Sequence, residues 1–136
     1  MKVLLAFAVV LFAGQALAAN EIDAKVDAAL AAESRPEADR ERDRNRRPLD
    51  TLTFFGLQDD MRVLELLPGG GWYTRVLAPV LAENGTLYVS IGTNRVKTTV
   101  LTEPGFEEVV VLENNANVRR PDGRVTFENN SPRFIA

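Results

Sequence analysis

Apolar residues follow two different spacings along the middle of the chain. Three short apolar runs have the length of buried strands, and the segments between them repeat apolar residues every three or four positions. The strand-like runs are RVLELL (62–67), TLYVSI (86–91) and EEVVVL (107–112). Helical spacing is found at Tyr73, Val76, Leu77, Val80 and Leu81, and again over TNRVKTTVL (93–101). This alternation predicts a parallel α/β sheet with right-handed crossovers.

Three helices are predicted before the first strand. In the first, Ile22, Val26 and Leu30 share one face, and Asn20 is the expected N-cap. Ser34 and Glu37 have the spacing of a capping box for the second helix, with Pro36 in its first turn. The third helix begins at Pro48 and ends near Gly56, and its expected apolar face consists of Leu49, Leu52, Phe54 and Phe55.

The second of these helices is dominated by charge. Residues 35–47 contain six arginines and four acids, which largely neutralise one another. We therefore interpret the segment as a solvated helix face and not as a nucleic-acid-binding arm. Arg47 and Asp43 lie one helical turn apart, where they could pack over the glycine loop at 69–71 or form a surface ion pair. The surface pair is the favoured interpretation.

The first 18 residues have the order of a secretory signal peptide. Lys2 precedes an apolar run over 3–13, and Ala16-Leu17-Ala18 provides a small-residue cleavage site before Ala19. The run is well short of the ~20 residues that span a bilayer, so we expect cleavage and no membrane anchor afterwards. The expected location is the periplasm or the medium outside the cell.

Composition excludes several kinds of chemistry. The chain has no cysteine and no histidine, which excludes disulfides, the usual zinc sites and any Ser–His or Cys–His nucleophile pair. Without the leader, 118 residues carry 15 basic and 19 acidic side chains, so nucleic acid is not an expected partner. We divide the remainder into a helical segment, 19–48, and one α/β domain, 49–136.

Three consecutive glycines follow the first predicted strand. Pro68-Gly69-Gly70-Gly71 lies between that strand and an amphipathic helix, which is where Rossmann-like folds bind nucleotide-type ligands. Bare backbone lets a ligand approach closely, and Glu65 could accept hydrogen bonds from a ligand amine or hydroxyl. The same glycines would equally suit a tight turn with no ligand.

The stretch VLELLPGGGWYTRVLAPVL resembles motif I of class I S-adenosylmethionine-dependent methyltransferases. Glu65 matches the acidic position of that motif, Gly69 and Gly71 match its later glycines, and Leu67 stands where the first glycine is usual. Together with SRPEADRERDRNRRPLDTLTFFGL, the motif is similar to an exported bacterial branch described as predicted methyltransferases. The resemblance implies S-adenosylmethionine as cofactor and methyl transfer to an unknown acceptor. By resemblance, the cofactor-binding residues are Glu65, Pro68, Gly69, Gly70, Gly71 and Trp72.

The chain departs from that family at two places. The second strand ends in LYVSIGTN, without the acidic residue that usually binds the ribose. Only three parallel strands are predicted, fewer than the full fold of that family contains. The resemblance therefore implies a Rossmann-like, class I methyltransferase-type three-layer sandwich shortened to about three parallel strands, with N-terminal helices. A C-terminal hairpin is predicted between 117–118 and 125–127. The first strand would then have an open edge, where a homo-oligomer could form.

The alternatives to an enzyme are a non-catalytic methyltransferase-like remnant and a binding or interaction module. No catalytic base is assigned.

Overall fold

A computed structural model describes residues 21–112 and 133–135 as an α/β fold. Helix α1 covers 21–31 and is followed by α2 (Glu37–Arg46) and α3 (Pro48–Phe54). The alternating part comprises β1 (Arg62–Leu66), α4 (Thr74–Leu81), β2 (Thr86–Ser90), α5 (Asn94–Thr98), a 3₁₀ turn (Val100–Thr102) and β3 (Val110–Leu112). A further strand, β4, consists of Arg133–Ile135. The predicted order of strands and helices between 62 and 112 is confirmed.

The four strands form one parallel sheet in the order β3-β2-β1-β4. The three predicted strands are parallel neighbours, as expected, but β4 was not predicted. It pairs with Val63–Glu65 of β1, so the expected open edge at these residues is wrong. The homo-oligomer expected at that edge stays a prediction. The predicted hairpin around 117–127 lies outside the described residues.

The core lies between this sheet and the helices that pack on it. Val63 of β1 and Val89 of β2 are fully buried, and Val76, Leu77, Val80 and Leu81 of α4 cover them. Helix α1 contributes Ile22, Val26 and Ala29 to the same cluster. The apolar spacing recognised in α1 and α4 thus marks the faces that pack, because residues three or four apart share one side of a helix.

Two local expectations for the N-terminal helices are wrong. Helix α2 has Pro36 at its N-cap and no side-chain cap, so the Ser34–Glu37 capping box does not form. In α3, Leu52 is buried, whereas Phe54 and Phe55 are 84% and 50% exposed. At about 100° per residue, Phe54 lies roughly 200° around the helix from Leu52 and therefore faces away from the core.

Ion pairs around α2 also differ from the expected surface pattern. Asp43 does not pair with Arg47; it accepts two hydrogen bonds from Arg35, at 2.7 and 2.8 Å. Arg35 is 3% exposed and also donates to the carbonyl oxygen of Leu30. Arg47 instead pairs with Asp50 at the surface. The arginine-rich segment is therefore anchored to α1 by a buried guanidinium and is not solvated throughout.

Within the described part of the chain, none of the helices has the length and apolar character needed to span a bilayer.

Candidate functional site

The glycine turn connects β1 to α4 through an unusual backbone. Leu67, Gly69 and Gly71 all have positive φ, at 55°, 55° and 81°. The Gly71 amide donates to the carbonyl of Pro68 at 2.8 Å, and the Leu67 amide donates to the carbonyl of Ser90 at 3.0 Å. Leu67 thus holds a left-handed conformation that favours glycine, at the position where the resembled motif has its first glycine.

The three glycines have different surroundings. A Cβ on Gly71 would lie 2.3 Å from Cγ2 of Val100, so this glycine permits close packing of the turn on the α5 region. A Cβ on Gly69 would meet only the Leu67 carbonyl oxygen, at 3.8 Å, and one on Gly70 would meet the Arg95 guanidinium at 3.7 Å. Gly69 and Gly70 therefore leave open backbone that a ligand could approach.

A pocket of about 300 Å³ lies over this turn. Five of the six residues predicted to bind a cofactor line it, namely Glu65, Pro68, Gly69, Gly70 and Trp72. Gly71 is not among the lining residues, in keeping with its packing against Val100. The pocket also lies at the carboxyl end of β1, beside the point where the strand order reverses between β1 and β4. Open parallel sheets bind ligands at such a point.

Glu65 is the buried acid of this pocket. It is 7% exposed, and its Oε2 accepts a hydrogen bond of 2.6 Å from the Thr74 hydroxyl. Burial raises the pKa of Glu65 to about 7, while hydrogen bonds from the Thr74 hydroxyl and amide act in the opposite direction. Among the described residues no cation forms an ion pair with this carboxylate. A ligand cation beside it would therefore supply the missing counter-charge.

The raised pKa of Glu65 predicts a pH-dependent stability. The folded state retains the Glu65 proton above the ordinary carboxyl pKa of 4.5, so its stabilising contribution is complete below pH 4.5 and is lost as pH rises towards 7. We expect the free energy of unfolding to fall by up to about 3 kcal/mol more in the wild type than in Glu65→Gln over this range. Urea unfolding of both proteins at pH 4.5, 6 and 8 measures this difference. If the free energy of unfolding changed with pH equally in the two proteins, the raised pKa of Glu65 would be contradicted.

Helix α2 packs against Trp72, which lines the pocket. The indole Nε1–H donates to the carbonyl oxygen of Asp39 at 2.9 Å, and the Arg46 guanidinium lies 4.6 Å from the centre of the ring. Trp72 is only 4% exposed. The pocket is therefore also lined by α2 residues that the sequence interpretation assigned to solvent, namely Asp39, Arg42 and Arg46. Their spacing of three and four positions placed them on one side of the helix, but gave no indication of what that side contacts.

The end of β2 offers no carboxylate to the pocket. Ser90 is buried, and its hydroxyl donates to the carbonyl oxygen of Leu112 in β3 at 3.3 Å. Its hydrogen is thus committed to the neighbouring strand. Ile91 and Gly92 follow with φ of 60° and 66°, and Ile91 is 45% exposed. The end of β2 therefore lacks the acidic residue usual in the resembled family, and the Ser90 hydroxyl does not donate a hydrogen bond to the pocket.

Comparison of the chain with protein-family models, with curated proteins and with solved structures finds no significant match. The fold and the pocket are thus the basis for any functional assignment.

Proposed function

We propose that the pocket over the glycine turn binds S-adenosylmethionine and that the protein is an exported methyltransferase acting on an unidentified acceptor. The observation that carries this proposal is the buried carboxyl of Glu65 beside exposed glycine backbone at the switch point of the sheet. Among the described residues this carboxyl has no cationic partner. In this proposal the sheet and helices belong to a shortened three-layer sandwich of the class I methyltransferase type.

The residues present suit such a cofactor. Glu65 would accept hydrogen bonds from the ammonium of the methionine moiety, which provides the cation that the carboxylate lacks. Gly69 and Gly70 leave room for the cofactor to lie against the backbone, since a Cβ at either would occupy that space. The volume of about 300 Å³ is at the lower end of the range for small-molecule sites. We therefore expect the pocket to enclose only one part of the cofactor.

The chemistry would depend mainly on alignment. When bound, S-adenosylmethionine supplies a methyl group that passes to a lone pair of the acceptor while the carbon–sulfur bond breaks and its electrons remain on sulfur. Glu65, the glycine turn and Trp72 would hold the reacting groups in line and limit the access of water. No catalytic base is assigned, and in this proposal any acceptor proton passes to solvent.

A second candidate is a binding module without catalytic activity. It is favoured by the end of β2, where Ser90 bonds to Leu112 and no acid is available for a ribose. In that case the glycines serve the turn and its packing against Val100. The two candidates differ in whether the pocket binds the cofactor.

Calorimetric titration of the chain from Ala19 with S-adenosylmethionine and S-adenosylhomocysteine distinguishes them. We expect micromolar binding that weakens about tenfold or more in Glu65→Gln, since a charge-assisted hydrogen bond is lost. Glu108→Gln is the matched control, because Glu108 is exposed and does not line this pocket. Absence of binding to a folded, monodisperse wild-type sample would reject the cofactor site and favour the binding module.

A further inference from the structure

Two arginines of α2 line the pocket, and neither has a carboxylate partner among the described residues. Arg42 and Arg46 lie one helical turn apart and both contribute to the pocket wall. Within residues 21–112, neither forms an ion pair with an acid. Asp39 lies three positions before Arg42, but its ion pair is with Arg75, at 3.7 Å. Like charges at this spacing repel each other.

The nearby acids do not neutralise these arginines. Asp43 is occupied by the buried Arg35, and Asp39 lies beside Arg75. Glu65, the remaining acid of the pocket, is buried with its pKa raised by desolvation, so it carries only part of its charge near neutral pH. The wall formed by α2 therefore has an excess of positive charge facing the pocket.

One of the two guanidinium groups is held in place in advance. Arg46 lies 4.6 Å from the centre of the Trp72 ring, and Trp72 is fixed by its hydrogen bond to the Asp39 carbonyl. A guanidinium stacked on an aromatic ring keeps its N–H edge available for a planar anion. Because its orientation is already restricted, less conformational entropy is lost when a ligand binds to it.

We propose that Arg42 and Arg46 form an anion clamp that binds a carboxylate or phosphate group of a ligand in this pocket. The clamp would attract this group by charge and orient it by paired N–H···O hydrogen bonds. The identity of the bound group rests on the proposed function. It is either the carboxylate of the cofactor or an acidic group on the methyl acceptor. The clamp itself requires only that the bound group be anionic.

Two probes separate these sources. S-adenosylhomocysteine carries the carboxylate, and 5′-deoxy-5′-methylthioadenosine keeps the nucleoside and sulfur but lacks the amino-acid end. If the clamp binds the cofactor, Arg42→Gln and Arg46→Gln each weaken S-adenosylhomocysteine about tenfold and leave methylthioadenosine unchanged. If it binds the acceptor, both nucleosides bind the variants as they bind the wild type. Inorganic phosphate then shifts the arginine side-chain NMR signals of the wild type but not those of the variants.

The control is Arg44→Gln, which removes the same charge from an exposed position of α2 that does not line the pocket. Phosphate titration of the ligand-free protein tests the clamp even if S-adenosylhomocysteine does not bind, so failure of the cofactor proposal remains distinguishable. Arg42→Gln leaves the Arg46–Trp72 contact in place, and circular dichroism verifies that each variant is folded. The clamp is rejected if both pocket variants behave like Arg44→Gln towards all three probes.

Discussion

Replacing Gly71 with alanine is expected to destabilise the protein by about 2–5 kcal/mol. The new Cβ would lie 2.3 Å from Cγ2 of Val100 and 3.1 Å from Cγ2 of Val96, and both valines are fully buried. The backbone at Gly71 also has φ of 81°, which costs a residue with a side chain about 1–2 kcal/mol. Urea unfolding followed by circular dichroism measures the loss.

Gly70→Ala provides the matched control within the same turn. Gly70 lacks a positive φ, and its Cβ would meet only the flexible Arg95 guanidinium, at 3.7 Å. We expect its stability to change by less than about 1 kcal/mol, as is usual for substitutions without steric conflict. If Gly71→Ala and Gly70→Ala destabilised the protein equally, the packing against Val100 would not explain the need for glycine at position 71. Because Gly70 lines the pocket, weaker cofactor binding by the folded variant would support the proposed site.

The second large effect is expected from Asp43→Ala, which leaves a buried guanidinium without its counter-charge. The Arg35 side chain is only 1% exposed, and Asp43 is its sole acidic partner among the described residues. Breaking a buried pair from one side typically costs about 3–5 kcal/mol, and we expect the lower end because Asp43 is 23% exposed. Thermal and urea unfolding would both report the change.

Glu41→Ala is the control for this experiment, since Glu41 is an exposed acid on the same helix. It should alter stability by no more than about 0.5 kcal/mol. In the double variant Arg35→Met/Asp43→Leu, no charge is left buried, so most of the lost stability should return. Similar losses in Asp43→Ala and Glu41→Ala would mean that Arg35 finds another partner or reaches water.

The order of elements between Arg62 and Leu112 could be predicted because both periodicities are local. Buried parallel strands read as short apolar runs, and α4 repeats its core residues every three or four positions. The strand β4 could not be predicted in this way, since its three residues are too few to show a pattern. Its pairing with β1 depends on a partner about 70 positions earlier in the chain.

The candidate site was predictable where the motif is contiguous and not where it is assembled from distant segments. Glu65 and the glycines lie within seven positions of one another, so the sequence placed them together. Trp72 contacts Asp39 across 33 positions, and no spacing rule relates the two. Asp43 was expected to pair along its own helix. It pairs instead with Arg35, which precedes α2 and lies eight positions away, so no helical spacing rule relates the two.

The position of β4 in the sheet has a consequence for the order of folding. Strands β1, β2 and β3 follow one another closely along the chain, so their pairings enclose short loops, whereas joining Val63 to Arg133 encloses about 70 residues. Loop-closure entropy makes such a distant contact the slower one to form. The edge of β1 that β4 covers is then unpaired until this last step. During that interval the nascent sheet presents free backbone amides and carbonyls to any other extended segment nearby.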